Sequence, residues 1–488
     1  MNETTAPNAT QRGLPMLKNA FNQYAARPVL IALASATLAT GCSLIPSYER
    51  PAAPVPSQWP TAQATTASSS EPIAWQTYFD NADLRELIGI ALANNRDLRV
   101  TALSIEQARA QLGIRRADQF PSLNATMTGS RIPSSGGGIT SNYTGGLMVS
   151  AYELDFFGRV ASLKEQALAQ YLASTEARNT AQISLIATVA QGWLSLLADE
   201  QQLAVSQQTL TTREASLKLV ELKERNGAAS ELDLRLAQTL LESARVTLAQ
   251  QQRQRALDEN ALQLILGQAL PDAVRSRLAQ HPLALIRLAD LPAGLPSELL
   301  TRRPDIRQAE QVLRANNANI GAARAAFFPR ISLTAGAGSA SGELAGLFKD
   351  GSWGWTLAPQ LVLPIFDAGR NQANLDAATS GMAIAIAQYE KAIQSAFREV
   401  ADALAGRATL AQQLAASQAL LEAETARTRL TQLRFENGAA SQLDWLDAQR
   451  ALFAARQSLV QVQLSYLQNQ VALYKALGGD SHADTATP

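Results

Sequence analysis

Soft-metal and redox chemistry has little to work with here: 488 residues carry one cysteine, two histidines and five methionines. A single thiol, Cys42, makes no intrachain disulfide and no cysteine metal cluster. His281 and His482 fall in a loop region and the tail, with no ligand spacing and no sequence-adjacent partner. Excess charge is also lacking. Forty-two basic residues balance forty-two acidic ones, which leaves no electrostatic footprint for nucleic acid. Charged residues are only 17% of the chain, and the polar positions are largely Gln, Ser, Thr and Asn. No Gly-rich phosphate loop follows a strand and the carboxylates are scattered, so no catalytic or cofactor-binding set is visible. Past the amino terminus no segment reads as a transmembrane helix. These absences leave passage or scaffolding, not chemistry.

What is present is a long internal duplication. Leu222-Lys-Glu-Arg-Asn-Gly-Ala-Ala-Ser-Glu-Leu-Asp233 returns as Leu433-Arg-Phe-Glu-Asn-Gly-Ala-Ala-Ser-Gln-Leu-Asp444, an offset of 211 that also pairs Gly158-Arg159 with Gly369-Arg370. An offset of 208 pairs Phe120-Pro121 with Phe328-Pro329 and Asp97 with Asp305. The period is too long for a solenoid. It reads as one large unit duplicated and fused.

Residues 1–41 read as a signal peptide. Arg12, Lys18 and Arg27 precede an apolar run of about 12 residues, too short to span a bilayer. Met16 is an alternative start. The run ends Leu38-Ala-Thr-Gly-Cys42. Small residues before a cysteine resemble a bacterial lipobox, although the large aliphatic residue stands one place early. Processing there makes Cys42 the lipidated amino terminus, and Ser43 directs it to the outer membrane. The alternative is cleavage near Ala39 with Cys42 a free thiol. Residues 42–82 form a tether rich in Pro, Ala, Ser and Thr, with Trp59 and Trp75 placed to pin it down.

Two matching halves follow. In the first, residues 83–266, the pattern predicts a short helix from Asp83 to Ala93, a second from Leu98 to Gln119, and a stop at Phe120-Pro121. A strand alternates Leu123, Ala125 and Met127 with polar neighbours. Arg131 to Tyr143 reads as a Gly/Ser loop, and Gly145 to Leu154 as a weaker strand. A helix of roughly 67 residues then spans about 100 Å, with Leu196, Leu203, Leu210 and Leu217 in a heptad seam. Asn226-Gly227 ends it. Ser230 with Asp233 caps the return helix, which runs to Leu266. Residues 267–303 connect the halves. The second half, 304–477, repeats the order: helix from Pro304, strand from Ile331, loop, strand from Trp353 to Ile365, long helix to Glu436 and return helix from Gln442. Residues 478–488 read as a disordered tail.

Four strands with one apolar face cannot close a membrane sheet alone, because a spanning sheet has no open edge. Several chains must pool strands: a dimer gives eight, a trimer twelve, and periodicity does not choose. The competing reading is a soluble helical rod with a small sheet.

The chain resembles the outer-membrane factors of tripartite efflux pumps, the TolC-like channel-tunnels, and within them the lipoprotein branch typified by OprM and NodT. The residues that carry the resemblance are Cys42-Ser-Leu-Ile-Pro-Ser-Tyr-Glu-Arg-Pro51, Gly294-Leu-Pro-Ser-Glu-Leu-Leu-Thr-Arg-Arg-Pro-Asp-Ile-Arg307 and the two Gly-Ala-Ala-Ser-x-Leu-Asp turns. It covers essentially all of the mature chain. It implies a mainly α fold with a small β part: a homotrimer whose twelve pooled strands form an outer-membrane β-barrel above a long α-helical periplasmic barrel. It further implies a tip closed until a periplasmic adaptor and an inner-membrane transporter engage it.

The gate candidates are Leu443, Asp444, Asp447 and Arg450. Asp444 and Asp447 are three apart and share a helix face. Rings of Asp constrict and cation-select a pore, and the family places an acidic ring at the position of Asp447 with Leu443 nearby. Asp444 has a plainer reading as the capping-box partner of Ser441. Asp447 has none, because the first repeat carries Leu236 there. Arg450 is expected to pair with a neighbouring helix in the closed state, and the resemblance places tyrosine in many family members where this chain has Phe435. The tips Gly227, Ala228, Ala229, Ser230 and Gly438, Ala439, Ala440, Ser441 are the expected adaptor-docking surface, or simply tight helix–helix turns. Trp353 and Trp355 suit a membrane-interface girdle, or the packing of a soluble sheet. The expected function is the outer-membrane duct of a proton-driven multidrug efflux system, with no cofactor and no enzymatic activity. The alternatives are metal-ion export, protein secretion, or a periplasmic coiled coil without a pore. Few Met and His argue against metal export, and the lipoprotein start argues against secretion.

Overall fold

The computed structural model describes residues 43–59, 73–134, 136–292 and 296–479. The predicted signal segment, Cys42, Gly294 and residues 480–488 lie outside them. In chain order the elements are α1 (Trp75–Tyr78), α2 (Ala82–Asn94), α3 (Arg96–Ala117), β1 (Leu123–Ser134), β2 (Gly138–Leu154), α4 (Arg159–Arg225), α5 (Glu231–Leu266), α6 (Asp272–Arg277), α7 (Leu299–Arg302), α8 (Pro304–Ala325), β3 (Arg330–Ser341), β4 (Trp353–Val362), α9 (Arg370–Glu436) and α10 (Gln442–Ala476). Short 3₁₀ turns punctuate the chain after α6, before α7 and between β3 and β4. Both long helices, α4 and α9, have 67 residues.

The helix ends follow from the residues at them. Asn81 accepts from Leu84 N at 3.0 Å and starts α2. Asn95 ends α2, accepts from Leu98 N at 2.9 Å to start α3, and donates to Ile265 O at 2.8 Å. Pro304 occupies the first position of α8, where a missing N–H costs nothing.

The described residues fall into two compact units. The first holds the sheet, with residues 43–47, 113–166 and 316–380. Its four strands are antiparallel in the order β1-β2-β3-β4, so the two halves of the duplication meet at the β2–β3 pair. Residues 131–143, read as a loop, are mostly strand: Arg131 pairs with Ser141 and Thr128 with Thr144. The turn is confined to a few residues around Gly137. Ser, Thr and Gly look like loop residues, yet threonine pairs well across strands, and Thr128 and Thr144 bond through their hydroxyls at 2.6 Å. The weak alternation of β2 has its cause in a bulge between Val149 and Tyr152, with Ala151 at φ 51°. Strand β4 stops at Val362, short of the expected Ile365.

Register sorts the two faces. Leu123, Leu147, Val149, Leu333, Ile331, Trp355, Leu357 and Leu361 share one face. The other carries Asn124, Thr126, Thr128, Ser332, Thr334, Thr356 and Gln360, with a transverse row of glycines, Gly146, Gly338 and Gly354. A Cβ on Gly146 or Gly338 would lie 2.4 Å from a carbonyl oxygen of the neighbouring strand, so only glycine permits that approach. At the helix end of the sheet Glu153 accepts two bonds from Arg159 and one from Arg330, all at 2.7 Å. Strands β1 and β4 end the order, each with an outer edge unpaired among the described residues.

The second unit is helical, with residues 48–59, 73–112, 167–315 and 381–479 among those described. Its core includes α4, where Ile186, Val189, Ala190, Trp193, Leu194, Leu196 and Leu197 are buried in one cluster with residues of α2 and α10. By length and composition α4 alone among the described helices is apolar enough to cross a membrane, but 67% of its most apolar window is buried inside the protein. The window is the core of this unit, and the apolarity follows from that.

Side-chain bonds give the order of the long helices. Arg255 of α5 reaches Glu200 of α4 at 2.7 Å, Gln202 of α4 donates to Gln457 O of α10 at 2.9 Å, and Asn469 of α10 donates to Ala403 O of α9 at 2.9 Å. The Arg-Pro-Asp stretch sits where α8 begins: Arg303 holds Asp305, Glu399 and the carbonyl of Ala476, tying α8 to α9 and α10. His281 is not partnerless. With Arg277 it closes on the buried carboxylate of Asp83, Nε2 to Oδ2 2.9 Å. Arg277 holds Asp83 below the usual carboxylate range.

The strap after Cys42 lies along α8. In the first unit Arg324 donates to Leu44 O, Asn317 to Pro46 O, and Ile45 fills the space a Cβ on Gly321 would need. In the second, Tyr48 and Arg50 both bond Glu310, and Arg314 joins them from above the Tyr48 ring. Trp59 stacks on Phe397 at 4.8 Å, and Trp75 is buried, as the pinning reading requires.

Candidate functional site: the two hairpin tips

Both tips are built by the same local chemistry. Gly227 and Gly438 adopt φ 72° and 73°, which ends each long helix in a left-handed residue. Ala228 N then reaches back to Lys223 O and Ala439 N to Arg434 O, each at 2.7 Å, satisfying carbonyls the helix leaves free. Ser230 and Ser441 start the return helices, each in a complete capping box with Asp233 and Asp444. Bonds from Ser441 lower the Asp444 pKa, and those from Ser230 do the same for Asp233. Asp444 is thus committed to the turn. Most of the tip residues, Gly227, Ala228, Ser230, Gly438, Ala439 and Ser441, are exposed, while Ala229 and Ala440 are half-buried.

One turn further into α10, Asp447 is held between two arginines. Arg450 Nη2 donates to Oδ1 at 2.5 Å and Arg427 Nη2 of α9 to Oδ2 at 2.9 Å. Glu424 bonds Arg427 from the same helix at 3.2 Å. Arg450 first, then Arg427, lowers the Asp447 pKa. Within the described residues Arg450 bonds its own helix three residues back. The cross-helix partner is Arg427, which the sequence reading missed. Its signal was the symmetry of the hairpin: residues 427 and 447 are equidistant from Asn437 in the turn. Leu443 is 59% exposed. Asp444 and Asp447 do share a helix, but within the described residues each carboxylate is already bonded.

The two hairpins also touch. Phe435 stacks on Trp445 at 5.1 Å with rings 7° apart, and Lys223 of α4 lies over the Phe435 ring at 4.3 Å. The Lys223–Phe435 pair is a cation–π contact between the two hairpins. Nearby, Arg213 of α4 is buried and donates to Gln449 Oε1 at 2.7 Å. Burial, then the charge of Arg450, lowers its pKa.

The other candidates lie elsewhere. Trp353 and Trp355 sit on the apolar sheet face, 70% and 71% exposed. Sequence reasoning missed the phenylalanines at the other end of the sheet: Phe120, Phe156 and Phe366 are exposed where strands give way to helices. Among the described residues no group of three or more His, Cys, Asp or Glu could hold a metal ion.

The sheet has open edges among the described residues and one apolar face, and the long helices end in capped tips. The family described as "Outer membrane efflux protein" matches residues 87–268 and 295–479, and the chain belongs to that family. It is 47% identical over 469 residues to the antibiotic efflux pump outer membrane protein ArpC of Pseudomonas putida, covering 93% of this chain and 96% of that one. The same identity and coverage hold for the toluene efflux pump outer membrane protein TtgC of Pseudomonas putida. Its structure is similar to the open state of the Neisseria gonorrhoeae MtrE outer membrane channel, with TM-score 0.82, 41% identity, and 91% and 100% of the two chains covered. It is an outer-membrane efflux channel that extends into the periplasm, from a family of outer-membrane ducts.

Proposed function

We propose that the chain is a homotrimeric exit duct for small organic toxicants, antibiotics and apolar solvents among them, gated at the Leu443–Arg450 turn. The observation that carries the pooling of strands between copies is the sheet: four strands, one apolar face and two edges unpaired among the described residues cannot rest in a bilayer until other copies close it. Three copies give twelve strands, with Trp353 and Trp355 at the membrane interface. The names of ArpC and TtgC support the substrate class. The duct is passive. A periplasmic adaptor grips the exposed Gly227–Ser230 and Gly438–Ser441 tips, and a proton-driven inner-membrane transporter supplies the work. Residues 44–46 run along α8 toward its C-terminal end, and Cys42, outside the described residues, is the proposed lipid anchor.

At the gate, Asp447 bonds two arginines, and the one on α9, Arg427, ties α10 to α9. Replacing Asp447 with Ala leaves Arg427 and Arg450 without that carboxylate, and their repulsion drives the tip apart. Single-channel conductance of D447A in planar bilayers is expected to rise above wild type. Equal conductance would refute the gate assignment.

A further inference from the structure

The duplication kept an arginine in its second copy and lost the carboxylate that serves it in the first. Gly158-Arg159 leads into α4 and Gly369-Arg370 into α9. Arg159 bonds Glu153 twice, each at 2.7 Å. The same offset of 211 puts Pro364 where Glu153 stands and Phe366 where Asp155 stands. Arg370 is exposed, and among the described residues its guanidinium has no hydrogen-bond or ion-pair partner. The nearest acid in sequence is committed elsewhere: Asp367 accepts from Gly369 N at 3.0 Å and Asn371 N at 2.9 Å. Arg370 also lines a cavity of about 270 Å³, together with Arg159, Arg330, Glu153 and Asp155. Glu153 is taken by Arg159 and Arg330, and Asp155 accepts from Ala161 N at 2.7 Å. Three arginines face two carboxylates, and the surplus cation is Arg370.

The residues just before it are apolar and uncovered. Ile365 and Phe366 are 88% and 89% exposed. Ile365 lies ten residues beyond Trp355, about 33 Å along an extended chain and about 25 Å across a bilayer at the usual strand tilt. That matches the apolar band between two aromatic girdles, about 25 Å tall. The long helices start at this end of the sheet and the channel extends into the periplasm, so Ile365 and Phe366 meet the periplasmic leaflet. We propose that Arg370 and the Ile365-Phe366 pair bind an anionic phospholipid of that leaflet, the guanidinium on the headgroup phosphate and the apolar pair among the acyl chains. The proposal rests on the placement of Trp353 and Trp355 at the opposite interface given above. Charge selects the lipid: a lone surplus arginine attracts a net negative headgroup, and no free carboxylate of the cavity is left for the cationic end of a zwitterionic one. A free phosphate would use the arginine alone, whereas a lipid uses both halves of the site.

The test uses the full-length channel, extracted in detergent and stripped of lipid, and reads lipid binding by native mass. The probes are phosphatidylglycerol and phosphatidylcholine. Arg370→Gln should bind phosphatidylglycerol about fivefold more weakly than wild type and phosphatidylcholine equally well. R370K, which keeps the charge, should bind phosphatidylglycerol more tightly than R370Q, and Phe366→Ala should weaken both lipids. Equal phosphatidylglycerol binding by wild type and R370Q would overturn the site. Displacement of the lipid by an equal concentration of inorganic phosphate would overturn it too, by reducing it to a bare anion site. R370Q chains that part from one another while binding phosphatidylglycerol as wild type does would give the arginine to a neighbouring copy instead. A wild-type channel that binds neither lipid would refute the membrane placement itself. If R370Q does not fold, F366A decides, and unchanged lipid binding by that variant overturns the site.

Discussion

Asp444 and Asp447 stand three residues apart with opposite duties. The first closes a turn and the second ties two helices. Because Arg450 and Arg427 hold Asp447 ionised below the usual range, acid must go below that range to release it. The clamp is present above the ordinary carboxylate pKa and lost as pH falls through the depressed one. Conductance recorded from pH 8 to 5 should therefore show no transition that D447A removes. A midpoint inside that window, absent in D447A, would mean that the carboxylate is not clamped. At Phe435 the contact is with a ring face and a cation, so Phe435→Leu should cost about 1 kcal/mol of tip stability. Hydrogen exchange of the α9–α10 tip amides would register it. Sequence alone singled out Asp447 as a candidate, because the repeat carries Leu236 at the matching place. The pattern reading missed Arg427, because a partner twenty residues away shows only when the hairpin is folded symmetrically about Asn437.

Among elements, helices were legible and strands were less so. Both 67-residue helices and both capping boxes appear where glycine, serine and aspartate spacing put them, because caps are local chemistry. Residues 131–143 were misread since their Ser, Thr and Gly content is also that of a strand with one polar face. Nothing local says which. Ser230→Ala and Ser441→Ala should each destabilise their tip by about 1 kcal/mol, and Gly438→Ala by about 1 kcal/mol through its positive φ. Local exchange rates at residues 437–445 should rise for S441A and stay unchanged for S230A. Equal changes at both tips would show that the hairpins unfold as one.

For the molecule as a whole, the pooled barrel makes a definite demand on mass. The protein extracted from membranes with detergent should run as three chains by native mass, and Cys42→Ser should remove the acyl mass without splitting the trimer. A monomer or dimer in detergent would exclude the twelve-strand closure. Glu310→Gln unbuckles Tyr48, Arg50 and Arg314 from one another. Limited proteolysis should then cut near residues 50–59 faster than in wild type. Pattern reading reached four strands per chain but not their partners, because the information that closes a sheet lies in another copy.

The unpaired edges of β1 and β4 also fix a rate law. In the proposed trimer no single chain can complete its sheet, so the last step of folding is a reaction between chains, third order overall if no dimer accumulates. Such a step slows steeply on dilution while proteolysis of the waiting chains, a first-order loss, does not. The yield of finished channel should therefore climb more steeply than the amount of protein synthesised, and a cell making little of it would lose most of what it makes.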